Sequence, residues 1–219
     1  MLRGNKEQMQ SSIKQQLEES FPSLKSGTFL VEDKKTPMNS IQRFFSNSTA
    51  SLSDYEKITI PGTGIVGQGG YGEVWLVKDE KKNERYAMKV LNKRQLAKDS
   101  QLKNLVKEIT IQRRIVHDNI IKIYNYTEDK VNVYIVMEYA NQGNLFQYIH
   151  SKGHLTEKEA FKIFVQVASA VNFLHKNCLM HRDIKPENIL LTESGAAKLC
   201  DFGLCTPYDK NRKRYSLFV

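Results

Sequence analysis

The stretch His181-Arg182-Asp183-Ile184-Lys185-Pro186-Glu187-Asn188-Ile189-Leu190-Leu191 decides how the rest of the chain is read. It packs an imidazole, a guanidinium, a carboxylate, an ammonium and a carboxamide together, then closes on three aliphatics that predict a buried strand. Pro186 lies between Lys185 and Asn188, so the polar part reads as a shaped loop and not a helix. Asp183 offers a base, Lys185 a cation two positions on, and Asn188 a neutral oxygen ligand three beyond that. These are the groups needed to accept a hydroxyl proton, steady a phosphoryl group and hold a magnesium ion.

Working outward, Gly67-Gln68-Gly69-Gly70-Tyr71-Gly72-Glu73-Val74 has the spacing G-x-G-x-x-G-x-V. Glycines let a backbone approach phosphate oxygens and aim N–H groups at them. The same spacing marks dinucleotide folds, but there it opens a helix. Here it opens a second strand-like run, which argues against such a cofactor. Ala87-Met88-Lys89 puts a lysine on an apolar strand, and Glu108 on the next helical segment is its candidate partner. Asp201-Phe202-Gly203 follows the strand-like Ala197-Lys198-Leu199-Cys200, and with Asn188 it makes an oxygen-ligand pair suited to Mg²⁺. Taken singly, each has an ordinary structural explanation; in this order they support one another.

The 219 residues, 40% hydrophobic, suffice for one large domain or two lobes around a core. There is no run of 18 apolar residues and no apolar stretch behind the N-terminus, so neither a spanning helix nor a secretory signal is expected. Cys178, Cys200 and Cys205 lack partners at metal-ligand spacing and read as reduced thiols of a cytoplasmic or nuclear protein. The net charge of +9 is uneven: residues 1–57 hold 8 basic against 7 acidic side chains, the remainder 25 against 17. Part of that excess is Lys210-Asn211-Arg212-Lys213-Arg214, which reads as a phosphate-facing run. No aromatic-interleaved motif accompanies it, so nucleic-acid binding is not expected, nor is a membrane partner.

Residues 1–57 read as a polar, flexible tail with one short amphipathic stretch at Met9, Ile13 and Leu17. From 58 the pattern becomes strand-like: Ile58–Val66, Glu73–Val77, Tyr86–Leu91, then a helix over about 101–116, then Ile120–Tyr126 and Val131–Met137. Thr156 and Glu159 form a capping box that opens a helix to about His175, with Phe161, Phe164, Val165, Ala168 and Val171 expected inward. The expected architecture is α+β and bilobal: a sheet-rich lobe over 58–137, a hinge at 138–143 and a helical lobe over 144–219.

These motifs together resemble the eukaryotic protein kinases over about 58–219. The resemblance implies that Gly67, Gly69 and Gly72 cover the phosphates of ATP and that Lys89 pairs with Glu108. It implies that Asp183 is the catalytic base and that Asn188 and Asp201 bind Mg²⁺. Lys185 in Asp-Ile-Lys-Pro-Glu-Asn resembles the loop of enzymes that phosphorylate serine and threonine in protein substrates. By the same likeness the adenine lies between Val66, Val74, Ala87 and Leu190, held by backbone groups of Glu138 and Ala140, with Met137 at the back. Glu108-Ile-Thr-Ile-Gln112, His117-Asp-Asn-Ile-Ile121 and the whole loop are similar to Aurora-type kinases, whereas Leu204 departs from their usual tryptophan. Arg182 implies a phosphorylated downstream segment, for which Thr206, Tyr208, Tyr215 and Ser216 are candidates, and an activating partner protein fits the same pattern.

The family pattern would continue past Val219 with further helices, so apolar surface on the 156–175 helix is expected to lie exposed. Two function classes follow. One is a serine/threonine kinase; the other is a catalytically inert fragment that serves as a nucleotide-binding or partner-binding decoy.

Overall fold

The computed structural model describes residues 52–57, 65–69, 72–96 and 99–208. The tail stretch at Met9–Leu17, most of the expected strand at 58–66, the basic run at 210–214, and Tyr215 and Ser216 lie outside the described residues. After a 3-10 turn at Leu52–Asp54, strands β1 (Tyr55–Lys57), β2 (Ile65–Gly69), β3 (Gly72–Asp79) and β4 (Glu84–Asn92) precede helix α1 (Asp99–Arg114). Strands β5 (Ile123–Glu128) and β6 (Asn132–Glu138) complete the first lobe. Helices α2 (Leu145–Lys152) and α3 (Glu157–Lys176) then lead to β7 (Leu179–Met180), a 3-10 turn at Pro186–Asn188, β8 (Ile189–Leu191), β9 (Ala197–Leu199) and β10 (Thr206–Pro207).

The first lobe is an antiparallel sheet in the order β1-β3-β4-β6-β5, with β2 also on β3. Its register sorts the side chains. Val74 faces Lys89, which faces Ile135, and Ala87 faces Met137, so all of these share one face of the pleat. Farther along that face Leu91, Val133 and Ile135 pack on Leu105 and Ile109 of α1. The opposite face buries Val77, Tyr86, Met88 and Val136 beneath Leu52, Tyr55 and Trp75. The β3–β4 hairpin closes through Asn83 at φ 58°, a conformation asparagine tolerates, while buried Asp79 accepts N–H bonds from Lys81 and Lys82.

Three expectations need correction. The tail expected over 1–57 ends earlier, because Tyr55–Lys57 form β1 on β3 and Leu52 and Tyr55 cover the sheet core beneath them. The strand expected at Ile120–Tyr126 begins only at Ile123. Its first residues are drawn to the other lobe: Ile121 N–H donates to Leu199 O at 2.9 Å, and Ile120 bridges Leu199 in parallel. Helix α3 has the expected capping box, with the Thr156 side chain accepting from Glu159 N–H and the Glu159 side chain accepting from Thr156 N–H. Its inner face, however, is Ile163, Val167, Ala170, Phe173 and Leu174, not Phe161, Phe164, Val165, Ala168 and Val171. The stripe 163/167/170/174 is rotated by about one residue, roughly 100°, from 164/168/171. Both are apolar, so periodicity alone could not choose which one meets β7 and β9.

The outer stripe is correspondingly bare. Phe161 and Phe164 are each 67% exposed and Val165 47%. Beside it an open groove of about 710 Å³ runs under the loop, lined by Leu155, Ile163, Phe164, Val167 and Ile184 among others. Among the described residues no helix is long and apolar enough to cross a membrane.

Candidate active site

The loop at 181–191 is held from below by a histidine. His181 is 2% exposed, and its ring meets Phe202 edge-on at 4.9 Å. Its Nε2 lies 3.0 Å from Cys200 O, which can only accept, so Nε2 carries the proton. Nδ1 is then free to accept from Asp183 N–H at 3.3 Å. Burial holds the imidazole below its ordinary pKa, so the neutral form that makes both bonds is favoured. A folded pKa below the unfolded one gives stability that is present above about 6.5 and lost as pH falls through the lower folded value. Wild-type Tm should therefore drop more steeply than that of His181→Phe between about pH 7 and pH 5, as read by circular dichroism.

Above the histidine, the acidic and basic groups converge. Lys185 Nζ lies 2.8 Å from Asp183 Oδ2, and Asn188 Nδ2 donates to both Asp183 Oδ2 at 2.8 Å and Asp183 O at 2.9 Å. The Lys185 bond holds the Asp183 carboxyl below its usual range, aided by Asn188, so it is ionised at neutral pH. Because the Asn188 N–H groups serve Asp183, its amide oxygen is turned away as an acceptor. Cys200 N–H donates to Asn188 O at 2.9 Å, which places Asp201 next to Asn188.

Helix α1 brings the third group. Lys89 Nζ stands 3.4 Å from Glu108 Oε1, with side chains 28% and 12% exposed. Burial depresses the lysine, but Glu108 and Asp201 outweigh it and leave the ammonium above its ordinary pKa. Burial pushes Glu108 upward, as does Asp201. A Cβ built on Gly203 would lie 3.3 Å from Asp201 Oδ1 and 3.6 Å from Glu108 Oε2, so both carboxylates stand beside the same backbone point. Phe202 is 1% exposed, seated in the core of the helical lobe, while Asp201 is exposed. Arg182 and Asp201 both adopt positive φ, 68° and 61°, a strained backbone that clusters where the polar groups meet.

The remaining expected residues are spread over β2, β3, β4, β6 and β8. Val66 sits at the register shift between Ile65 and Gly67 on β2, a bulge that alters the direction of its side chain. Gly67 pairs with Val74, and Gly69 with Gly72, across the hairpin that begins the glycine segment. Ala87 and Met137 are cross-strand neighbours, and Leu190 on β8 bridges Asn144. Ala140 is buried just past β6. Glu138 N–H donates to Lys122 O at 2.9 Å, so only its carbonyl could meet a ligand.

One glycine is required for a reason different from the one expected. A Cβ on Gly72 would fall 1.9 Å from Val90 O, a backbone atom of the neighbouring strand. A Cβ on Gly67 would meet nothing closer than Val74 Cβ at 3.6 Å. Gly72→Ala should cost about 1–3 kcal/mol by overpacking. Gly67→Ala should leave Tm near wild type, so paired thermal melts separate the two.

Three residues given no role from sequence matter here: His181, Phe202 and Lys198. A histidine before a charged loop carries no periodic signal of burial, and only the fold places Cys200 O and Phe202 against its ring. The cysteines are unpaired as expected, and burial pushes the Cys200 and Cys205 thiols up to about 12.

Residues 62–219 match the family model for the protein kinase domain. The chain belongs to the protein kinase family. It is 40% identical over 149 residues to CBL-interacting serine/threonine-protein kinase 12 of Arabidopsis thaliana, covering 68% of this chain and 30% of that one. It is 38% identical over 148 residues to an Aurora kinase of Schizosaccharomyces pombe, covering 68% and 42%. Calcium-dependent protein kinase 4 of Plasmodium berghei is 36% identical over 174 residues, covering 78% and 32%. The chain thus spans less than half the length of these relatives, all of them named as protein kinases and drawn from several groups.

Proposed function

We propose that the chain carries the phosphoryl-transfer machinery of a protein serine/threonine kinase, acting on hydroxyl groups of protein substrates with ATP as donor. The observation that carries this reading is the convergence of Asp183, Lys185 and Asn188 beside Asp201 while Lys89 is already paired with Glu108. Phosphoryl transfer demands positioning and charge neutralisation more than covalent work by the protein. Asp183, ionised and fixed by Asn188, orients a substrate hydroxyl and accepts its proton. Lys185 offsets charge on the transferred group, and Lys89 holds the phosphates from the opposite side. The glycine hairpin Gly67–Gly72 lies over them, with Val66, Val74, Ala87, Met137, Glu138, Ala140 and Leu190 as the adenine surround.

Asn188 and Asp201 fit a magnesium ion: one carboxylate and one outward amide oxygen are the sparse oxygen set that this ion takes alongside phosphates. Bound there, it would supply charge neutralisation between phosphate oxygens.

The finer Aurora likeness rests on the quoted segments and on Gln112. That residue is 3% exposed, and its Nε2 donates to Ile121 O at 2.9 Å, a polar tie inside the α1 core. Leu204 argues against it, and relatives from other kinase groups are equally similar.

Incubating the chain with Mg-ATP and a generic basic protein tests the main reading, with phosphoamino-acid analysis of the product. Phosphoserine or phosphothreonine is expected; no transfer, or phosphotyrosine alone, overturns it. The second reading, a nucleotide-binding module that docks partners without transfer, is favoured by the bare apolar stripe of α3. It predicts ATP binding with no labelled product.

A further inference from the structure

Strand β9 reads Ala197-Lys198-Leu199, a lysine between two fully buried aliphatics. Strand alternation turns Lys198 out of the helical-lobe core, yet its side chain is only 13% exposed. It is buried against the segments that join the lobes. Its Nζ lies 2.7 Å from Glu138 Oε1 and donates to Asp118 O at 2.8 Å. The second Glu138 oxygen faces Lys122 N–H at 3.4 Å. One ammonium therefore joins three pieces of chain: the end of β6, the connector that follows α1, and the strand three residues before Asp201.

The connector is fixed to that same strand elsewhere. Leu199 N–H donates to Asn119 O and Ile121 N–H to Leu199 O, each at 2.9 Å, and Asn119 Nδ2 reaches Ala197 O at 3.0 Å. These bonds locate the connector along β9. Glu138 N–H also donates to Lys122 O of the connector at 2.9 Å, and Gln142 N–H to Leu191 O of β8 at 3.0 Å; the Lys198 ion pair is the direct tie from β9 to the Glu138 side chain.

We propose that Lys198 is a positioning residue for the nucleotide, clamping the Glu138–Ala140 segment to the strand that delivers Asp201. The clamp sets the spacing between the adenine end and the phosphate end of one bound molecule. It rests on the reading of that segment as the adenine-facing one. The clamp is closed in the same arrangement in which Lys89 pairs with Glu108 and Phe202 is buried, so it is compatible with the aligned site.

The test is calorimetric titration of the purified chain with adenosine and, separately, with Mg-ATP. Lys198→Met should weaken both ligands by about fivefold, the scale of a charged hydrogen bond partly open to water. Lys89→Met should weaken ATP far more than adenosine. Glu138→Gln should weaken both as Lys198→Met does, and the double variant should lose little more than either single one. Hydrogen exchange should rise at 138–142 in Lys198→Met while the β3–β4 amides stay protected. Should Lys198→Met fail to fold, Lys198→Gln, which keeps two donors, should give an intermediate loss.

Unchanged adenosine affinity in Lys198→Met, or faster phosphoryl transfer, overturns the proposal while the adenine reading stands. A wild-type chain that binds ATP but no adenosine overturns the adenine reading and the proposal with it.

Discussion

Asp183→Asn should lower phosphoryl transfer by about 10²–10⁴, the usual contribution of a positioned general base. The substitution is nearly isosteric, and its consequences follow from the bonds around it. The carboxylate accepts from Lys185 and Asn188 at 2.8 Å, and the Lys185 bond holds it below its usual range. An asparagine there keeps one acceptor oxygen but has no basic site for a substrate proton. Lys185 and Asn188 both donate to Oδ2, so an amide oxygen placed there keeps both bonds and the NH₂ takes the place of Oδ1. Tm should fall only slightly, because the residue is half-buried and the backbone bonds of the loop to His181 and Asn188 persist. ATP affinity should stay near wild type while turnover collapses, a change in kcat with little change in KM for ATP. Initial rates with labelled ATP give both quantities, and substantial turnover in Asp183→Asn removes the role assigned to that carboxylate.

Lys89→Met should lower transfer by about 10²–10³, the usual loss on removing one preorganised charge contact. Its structural consequence is sharper than for a surface lysine. Glu108 is mostly buried and stands near Asp201, so without Lys89 it has burial and a like charge against it. Its pKa then moves further above the ordinary carboxylate value. A raised folded pKa gives stability that is present below the unfolded pKa and lost as pH rises through the folded one. Lys89→Met should therefore be less stable than wild type at neutral pH and regain Tm as pH is lowered toward about 5. Replacing Glu108 by glutamine in the same chain removes the buried charge. The double variant should recover Tm at neutral pH and remain inactive. Recovery of transfer would mean that Lys89 serves the fold and not the phosphates.

Much of this arrangement was legible because the chemistry is local in the chain. Asp183, Lys185 and Asn188 lie within six residues, and a proline between them forces a loop, so their meeting needs no long-range contact. The strand carrying Lys89 and the capping box of α3 are likewise written in short-range patterns. Legibility ended where two apolar stripes competed. On α3 either stripe satisfies a 3.6-residue period, and the choice fell to Ile163, Val167, Ala170 and Leu174 because those meet the residues flanking the loop. It ended again at Ile120 and Ile121, whose β-propensity fits a strand of the first lobe but which meet Leu199 of β9, Ile121 N–H by a bond to its carbonyl and Ile120 by a parallel bridge.

The sequence by itself determined the protein kinase family, the order of the lobes and the identity of the polar groups, because those depend on residue type and spacing. Only the tertiary structure decided what secures those groups. The neutral tautomer of His181 is set by a carbonyl 19 residues away, the necessity of Gly72 by the backbone of a neighbouring strand, and the reach of Lys198 by two segments from outside its own strand. The physical reason is common to all three. A buried hydrogen-bond donor or a missing Cβ is explained by its neighbours in space, and those neighbours are distant in sequence.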